Sequence, residues 1–133
     1  MLVGTMHDMR SLMTGIFLSS LQFRQYTLGE KINLWRGKIH SGVSSVWREM
    51  MATDLTTRVT ALDVPVYFLH GIHDYTVSYR EARNYFERLR APLKGFYTFD
   101  RSAHSPLFEE PEKAIKILRE NVSRGTNDLA EIK

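Results

Sequence analysis

The feature of this sequence that most constrains its fold is the run from Val64 to His70, which is apolar almost throughout. A run this short and this apolar is typical of a strand that is buried on both faces of a parallel sheet. Pro65 lies near the start of the run, where a missing N–H is tolerable, and Gly71 ends it. Such a strand needs a neighbouring strand and cover on both of its faces.

The segment that follows this run alternates between helix and strand. A helix is predicted from about Ser78 to Arg90, a second strand from Phe96 to Phe99, and a final helix from Pro111 to Val122. A strand, a crossover helix and a second strand form a βαβ unit, in which the two strands are parallel. The residues from Ser123 to Lys133 are predicted to be a frayed tail. The side chains expected on the buried faces of the two helices are Ala82, Tyr85, Phe86, Leu89, Ala114, Ile115, Leu118 and Val122.

Upstream of residue 63 the apolar spacing is helical. Thr27 and Glu30 have the spacing of a capping box, in which each side chain bonds the free backbone N–H of the other residue at the start of a helix. Three helices are predicted at residues 9–23, 28–39 and 44–53, and a polar connector is predicted at residues 53–63. The side chains expected to be buried in the second and third helices are Ile32, Trp35, Ile39, Val46, Trp47 and Met50.

The composition excludes several classes of protein. Of the 133 residues, 43% are hydrophobic and 25% are charged, which excludes a disordered tail and a polytopic membrane protein. The net charge is +3 with no dense basic cluster, so no nucleic-acid partner is expected. The chain has no cysteine, and the apolar stretch from Leu12 to Leu18 is far shorter than the roughly 20 residues that span a bilayer. We therefore expect a cytoplasmic protein without a membrane partner.

Together these patterns predict an α/β fold, with a helical segment over residues 1–62 and a βαβα segment over residues 63–133. Two parallel strands do not form a stable sheet alone, because both outer edges expose unpaired backbone groups. The chain is therefore expected to be one end of a larger sheet.

Candidate catalytic residues follow the two predicted strands, at the end of the sheet where functional loops gather in open α/β folds. Asp74 lies three residues after Gly71, and His104 follows the second strand. Adjacent parallel strands would bring these loops together, and a carboxylate that faces an imidazole fixes its tautomer and stabilises its protonated form. Asp74 could instead be a turn residue that bonds its own backbone. A metal site is another alternative, because His70, His73 and Asp74 are close in sequence. Residues so close on one turn rarely converge on one ion, so no metal is expected.

The two loops, Gly71-Ile72-His73-Asp74 and Ser102-Ala103-His104-Ser105-Pro106, resemble the C-terminal portion of an α/β-hydrolase, closest to the proline-iminopeptidase-like branch. In that family the triad acid follows the penultimate core strand in a G-x-x-D turn, and the histidine follows the last strand. The resemblance implies that Asp74 is the triad acid and His104 the general base. It also implies that the helical first half is similar to the family's cap, and that no cofactor is required. Trp35, Trp47 and Tyr75 would then border the substrate pocket of a complete enzyme.

The sequence departs from the family at the nucleophile. The family carries its serine on a G-x-S-x-G turn that precedes the acid and the histidine. The nearest match here, Gly42-Val43-Ser44-Ser45-Val46, lacks the second glycine. We therefore expect a fragment of a serine-type hydrolase of small-molecule esters or amides, a cap plus the last βαβα, that is inactive alone. The alternative is a non-catalytic interaction module or split-enzyme subunit, which pairs through its exposed sheet edge with a nucleophile-bearing N-terminal half or forms a homodimer.

Overall fold

The computed structural model describes His7, Ser11, residues 13–42 and residues 44–133. The chain divides into two compact units. One lies within residues 12–58, and the other comprises residues 59–133 together with His7 and Ser11. The predicted division between residues 62 and 63 stays a prediction. In the described part of the chain, no helix combines the length and the apolarity that crossing a membrane requires.

The first unit is helical. A π-helical turn, Met13–Phe17, leads into α1 (Leu18–Gln22), which is followed by α2 (Leu28–Gly42), α3 (Ser45–Ala52) and α4 (Leu55–Arg58). The three predicted helices are thus present, although residues 9, 10 and 12 of the first lie outside the described residues. The predicted connector is wrong in one respect, because it contains the short helix α4.

Helix starts in this unit follow from side-chain caps. The backbone N–H of Thr27 donates to Glu30 Oε2 at 2.8 Å, and the N–H of Glu30 donates to Thr27 Oγ1 at 3.3 Å, which confirms the predicted capping box. Ser44 caps α3 by accepting the N–H of Trp47 at 3.1 Å. Asp54 accepts the N–H of Thr56 at 2.9 Å just before α4. An aspartate in that position is a helix-start signal that the apolar spacing alone does not reveal.

The buried faces predicted for these helices are wrong. No described residue of α1, α2, α3 or α4 is buried, and the side chain of Ile39 is 67% exposed. A unit of this size has too little interior to enclose the apolar sides of several helices. Trp35 is half-buried, because its ring lies edge-to-face on Phe17 and its Nε1 donates to Ser20 Oγ at 3.0 Å.

The second unit alternates strands and helices as predicted. Its elements are β1 (Val66–Gly71), α5 (Tyr79–Arg88), β2 (Lys94–Phe99), α6 (Pro106–Glu109) and α7 (Pro111–Glu120). The short helix α6 was not predicted, because its four residues are too few to show an apolar period. The element order gives a mixed α/β fold.

The two strands are parallel, with Val66 opposite Lys94 and Gly71 opposite Phe99. Successive side chains of a strand point to opposite faces of the sheet, and a different helix covers each face. On one face the rings of Phe68 and Phe96 pack against Phe86 of α5. On the other face Tyr97 and Phe99 of β2 form the core with α7. β2 is buried from Gly95 to Phe99, whereas β1 is half-buried from Val66 to His70, so the predicted burial of the first strand on both faces is wrong.

The buried stripe of α7 differs from the predicted one. Ala114 and Ile117 are buried, whereas Ile115 and Leu118 are exposed. The stripe continues one turn later at Asn121, which is 1% exposed. The spacing of 114, 117 and 121 is helical, but the prediction followed the apolar residues and a polar residue completes the stripe.

The prediction of a frayed tail after α7 is also wrong. A 3₁₀ turn, Val122–Arg124, follows the helix, and Asn121 anchors the residues beyond it. Its Oδ1 accepts the phenol of Tyr97 at 2.7 Å and the N–H of Leu129 at 3.0 Å. A buried amide that satisfies several partners fixes a segment that has little apolar surface of its own.

The end of the chain closes the outer edge of β2. The N–H of Phe96 donates to the carbonyl of Ile132 at 2.9 Å, and the N–H of Glu131 donates to the carbonyl of Phe96 at 3.0 Å. The prediction that both edges of the pair are unpaired is therefore wrong for β2. Further outward-facing backbone groups of β2, the carbonyl of Lys94 and both polar groups of Thr98, bond the side chains of Asn127, Glu131 and Lys113.

The outer edge of β1 is different. The N–H of Val66 bonds Leu93 and the N–H of Ile72 bonds Phe99, so alternate residues of β1 are turned toward β2. The backbone groups of Tyr67 and Leu69 face the other way. The sheet has two strands among the described residues, and in that part of the chain no third strand meets this edge.

Candidate active site

The loops that follow the two strands meet at one end of the sheet. Asp74 lies in the turn after β1, and His104 lies in the loop between β2 and α6. The distance from His104 Nδ1 to Asp74 Oδ2 is 2.7 Å, a hydrogen bond between residues that are 30 positions apart in sequence. The predicted proximity of the two side chains is therefore confirmed. Their predicted catalytic roles stay predictions.

Asp74 is held by the turn in which it lies. Its Oδ1 accepts the backbone N–H groups of Thr76 at 2.8 Å and Val77 at 3.0 Å, and its own N–H donates to the carbonyl of Gly71 at 3.2 Å. The two interpretations of Asp74 are thus compatible, because Oδ1 serves the turn and Oδ2 meets His104. The side chain is 5% exposed.

The protonation of the pair follows from this environment. Burial acts to raise the pKa of Asp74. The N–H of Val77, the ring of His104 and the N–H of Thr76 together lower that pKa by more, so it lies below its ordinary value. An ionised carboxylate only accepts hydrogen bonds, so Nδ1 of His104 must carry the proton that joins them.

The remaining ring nitrogen of His104 is the reactive one. With the proton on Nδ1, a neutral imidazole has its lone pair on Nε2. Among the described residues Nε2 has no hydrogen-bond partner, and the His104 side chain is 41% exposed. The arrangement can therefore accept a proton at Nε2 and stabilise the resulting imidazolium through Asp74.

Gly71 allows the two loops to touch through their backbones. A Cβ at this position would lie 2.6 Å from the carbonyl carbon of Ser102, and closer still to the carbonyl oxygens of Ser102 and Ala103. The N–H of His73 donates to that Ser102 carbonyl at 3.1 Å. The sequence patterns identified Gly71 as the end of a strand and as the first residue of the G-x-x-D turn, but not as a point of contact between the two loops. Its position, directly between a buried strand and the candidate acid, is the signal that could have indicated a close backbone approach.

The two other histidines near the site are directed to backbone oxygens. His70 Nδ1 is 3.0 Å from the carbonyl of Gly71, and His73 Nε2 is 3.1 Å from the carbonyl of Asp100. No three His, Asp or Glu side chains gather in a way that could hold a metal ion, as far as the described residues extend.

A groove of about 510 Å³ adjoins His104. Its walls come from β1, α6, α7 and the 3₁₀ turn, and they are mostly apolar. Tyr75 does not line this groove, and its side chain is 79% exposed. Trp35 and Trp47 belong to the helical unit. The assignment of these three residues to a substrate pocket stays a prediction. The residues of the groove are Tyr67, Leu69, His104, Ser105, Pro106, Leu107, Phe108, Leu118 and Val122.

Comparisons with known proteins match part of the chain. A stretch of 63 residues is 36% identical to "Probable aminopeptidase YbaC" of Bacillus subtilis, and it spans 47% of this chain and 20% of that protein. A stretch of 59 residues is 29% identical to "Putative esterase/lipase 1" of Mycoplasma genitalium, and it spans 44% of this chain and 22% of that protein. No family model and no solved structure matches the chain significantly. The chain thus spans about a fifth of the length of these two relatives, and the partial similarity indicates a hydrolase-like relationship.

Proposed function

We propose that this chain contributes the acid and the histidine of a serine-type hydrolase that cleaves esters or amides. The observation that carries the proposal is the 2.7 Å hydrogen bond between His104 Nδ1 and Asp74 Oδ2, at the ends of two parallel strands. The partial similarity to an aminopeptidase and to an esterase/lipase supports the reaction class. The fold of such an enzyme would be that of an α/β-hydrolase, with the helical unit in the place of its cap.

In this reaction His104 acts first as a base and then as an acid. Asp74 keeps the proton on Nδ1, so that Nε2 removes the proton of a serine hydroxyl as the serine attacks the acyl carbon. The imidazolium that forms is stabilised by the adjacent carboxylate. Nε2 then returns the proton to the leaving alcohol or amine, and the same cycle with water releases the acid. These steps need no cofactor.

In this proposal the nucleophile is supplied from outside these 133 residues, which contain no G-x-S-x-G sequence. We therefore expect the purified chain to hydrolyse p-nitrophenyl esters and aminoacyl amides only at the background rate. We also expect no labelling by a fluorophosphonate, which modifies activated serines. Strong labelling of the isolated chain would contradict this form of the proposal.

A chimaera tests the proposed roles directly. Residues 59–133 of this chain would replace the C-terminal strand–helix–strand–helix segment of an active serine hydrolase of known structure, and acyl hydrolysis would be measured. In an active chimaera, His104→Gln and Asp74→Asn are each expected to lower kcat by about 10³-fold or more, because each removes a member of the acid–histidine pair. His73→Gln is the matched control, because the described contacts of its ring are the backbone carbonyl of Asp100 and the ring of His7 and do not include Asp74 or His104, so its kcat should stay close to that of the parent chimaera. Equal losses for the variants of His73 and His104 would contradict the proposal.

The second candidate function, an interaction module or split-enzyme subunit, is favoured by a separate observation. The outer edge of β2 is closed by residues 131 and 132, whereas the backbone groups of Tyr67 and Leu69 on the edge of β1 face away from the sheet. An edge of this kind pairs readily with another strand. In this candidate function the outer edge of β1 pairs with another strand, either from a nucleophile-bearing chain or from a second copy.

The pairing of identical copies is tested by light scattering of the isolated chain. A homodimer is the expected species, since strand addition across a two-fold axis would satisfy the edges of both copies. A stable monomer at micromolar concentration would count against self-pairing. Pairing with a separate chain that carries the missing serine would then remain. Esterase activity that appears when the two chains are mixed would demonstrate it.

A further inference from the structure

We propose that Glu110, assisted by Glu109, is a positioning residue that fixes the loop in front of His104 and thereby holds the imidazole against Asp74. Glu110 Oε1 accepts the backbone N–H of Arg101 at 3.0 Å and the hydroxyl of Ser102 at 2.7 Å. This proposal rests on the proposed function, because it concerns the same acid–histidine pair.

The contacts cover each residue between Asp100 and His104. Glu109 Oε2 accepts the N–H of Ala103 at 2.8 Å, while its other oxygen accepts the N–H of His7. The three residues directly before His104 are thus each bonded to a carboxylate. Hydrogen bonds to an ionised acceptor are shorter and stronger than those to a neutral one.

The ring of His104 depends on this loop because little else surrounds it. Its side chain is 41% exposed, and Asp74 is its one hydrogen-bond partner among the described residues. A ring in such a setting keeps its position only if its backbone is held. Ser102 is fully buried and Glu110 is 6% exposed, so the support lies beneath the loop and away from water.

The direction of the Glu110 side chain separates this role from an ordinary helix cap. Glu110 occupies the N-cap position of α7, but its side chain makes no capping hydrogen bond to that helix. The carboxylate is turned back to the loop instead. Burial acts to raise the pKa of Glu110, but the hydrogen bonds from Ser102 and Arg101 lower it by more, so the group is ionised near neutral pH.

The test reads the tautomer of His104 by ¹⁵N NMR of the full chain, with the signal assigned by the loss that His104→Gln causes among the five histidines. In the unmodified chain the proton is expected on Nδ1. Glu110→Ala removes the acceptor, and the ring is then expected to sample both tautomers. Glu110→Gln keeps an oxygen that can accept both bonds, and it should restore the Nδ1–H form. Glu112→Ala is the matched control, since it deletes an exposed glutamate in the first turn of the same helix, and it should leave the spectrum unchanged.

The outcomes separate this role from the proposed function. An unchanged Nδ1–H tautomer in Glu110→Ala overturns the positioning role and leaves the acid–histidine pair intact. A proton on Nε2 in the unmodified chain removes the pair itself, and with it both proposals. If Glu110→Ala fails to fold, Ser102→Ala removes the shorter of the two bonds and retains the buried carboxylate. A tautomer that stays on Nδ1 in that variant overturns the role, and a mixture of tautomers supports it.

Discussion

The replacement Gly71→Ala probes the contact between the two loops most directly. Gly71 does not have a positive φ, so alanine is compatible with its backbone and any effect must come from the new methyl group. That methyl carbon would lie 2.6 Å from the carbonyl carbon of Ser102. Carbon atoms prefer separations of about 3.5–4.0 Å, so the loop that contains Ser102 and His104 would have to move away from Gly71 by about 1 Å.

A retreat of this size separates the candidate catalytic pair. The bond between His104 and Asp74 is 2.7 Å long, and about 1 Å more takes the two atoms beyond hydrogen-bond distance. The bond from the N–H of His73 to Ser102 would be lost as well. Overpacking costs about 1–3 kcal/mol and a lost hydrogen bond costs about 1 kcal/mol, while alanine gains about 0.5 kcal/mol in the unfolded chain. With both hydrogen bonds lost, the expected decrease in the free energy of unfolding is about 2.5–4.5 kcal/mol.

Hydrogen exchange of the β2 amide groups measures this loss in the second unit alone, and the ¹⁵N spectrum of His104 reports the separation of the pair. Gly95→Ala is the matched control, because a Cβ there would meet Tyr97 Oη at 2.9 Å and Ala130 Cβ at 3.1 Å. These contacts are longer than those at Gly71 and involve side-chain atoms in place of backbone atoms, so a smaller loss is expected. If Gly71→Ala keeps both the stability and the Nδ1–H tautomer of the unmodified chain, the close backbone approach at Gly71 does not hold the two loops in register.

Two further predictions concern the same unit. Asp74 and Glu110 have pKa values below their ordinary values of 3.8 and 4.5, so the stability they provide is fully present above those values and is lost as the pH falls through the lower, folded-state values. The urea concentration at the unfolding midpoint, measured from pH 7 down to pH 3, should therefore decrease once the pH is below about 4.5. A midpoint that rises on acidification would contradict this sign. Asn121→Ala removes the acceptor of Tyr97 and Leu129, which should cost about 2–3 kcal/mol and release the end of the chain from β2. The amide of Phe96 should then exchange rapidly, and continued protection of that amide would show that Asn121 does not anchor the tail.

The elements of this fold that local chemistry determines could be predicted from the sequence. The capping box at Thr27 and Glu30 and the apolar run of β1 depend on a few adjacent residues, so their patterns identify them. The meeting of Asp74 and His104 could also be predicted, because parallel neighbouring strands end at the same edge of a sheet.

Burial and loop contacts could not be predicted in the same way. The apolar side chains of α2 and α3 are exposed, because burial depends on what covers a helix and not on the helix alone. The tail is held by the buried amide of Asn121, which no apolar period reveals. The support of the histidine loop by Glu110 depends on the path of the backbone between β2 and α7, and residue spacing does not encode that path.

The closed edge of β2 limits how large an assembly of this sheet can become. A sheet with two unpaired edges can add strands indefinitely, as it does in fibrils. In this chain residues 131 and 132 occupy one side, so if β1 pairs with β1 of a second copy as proposed, neither copy has a further free edge for growth. Pairing between two copies of this chain would therefore yield a dimer of defined stoichiometry, and not a polymer.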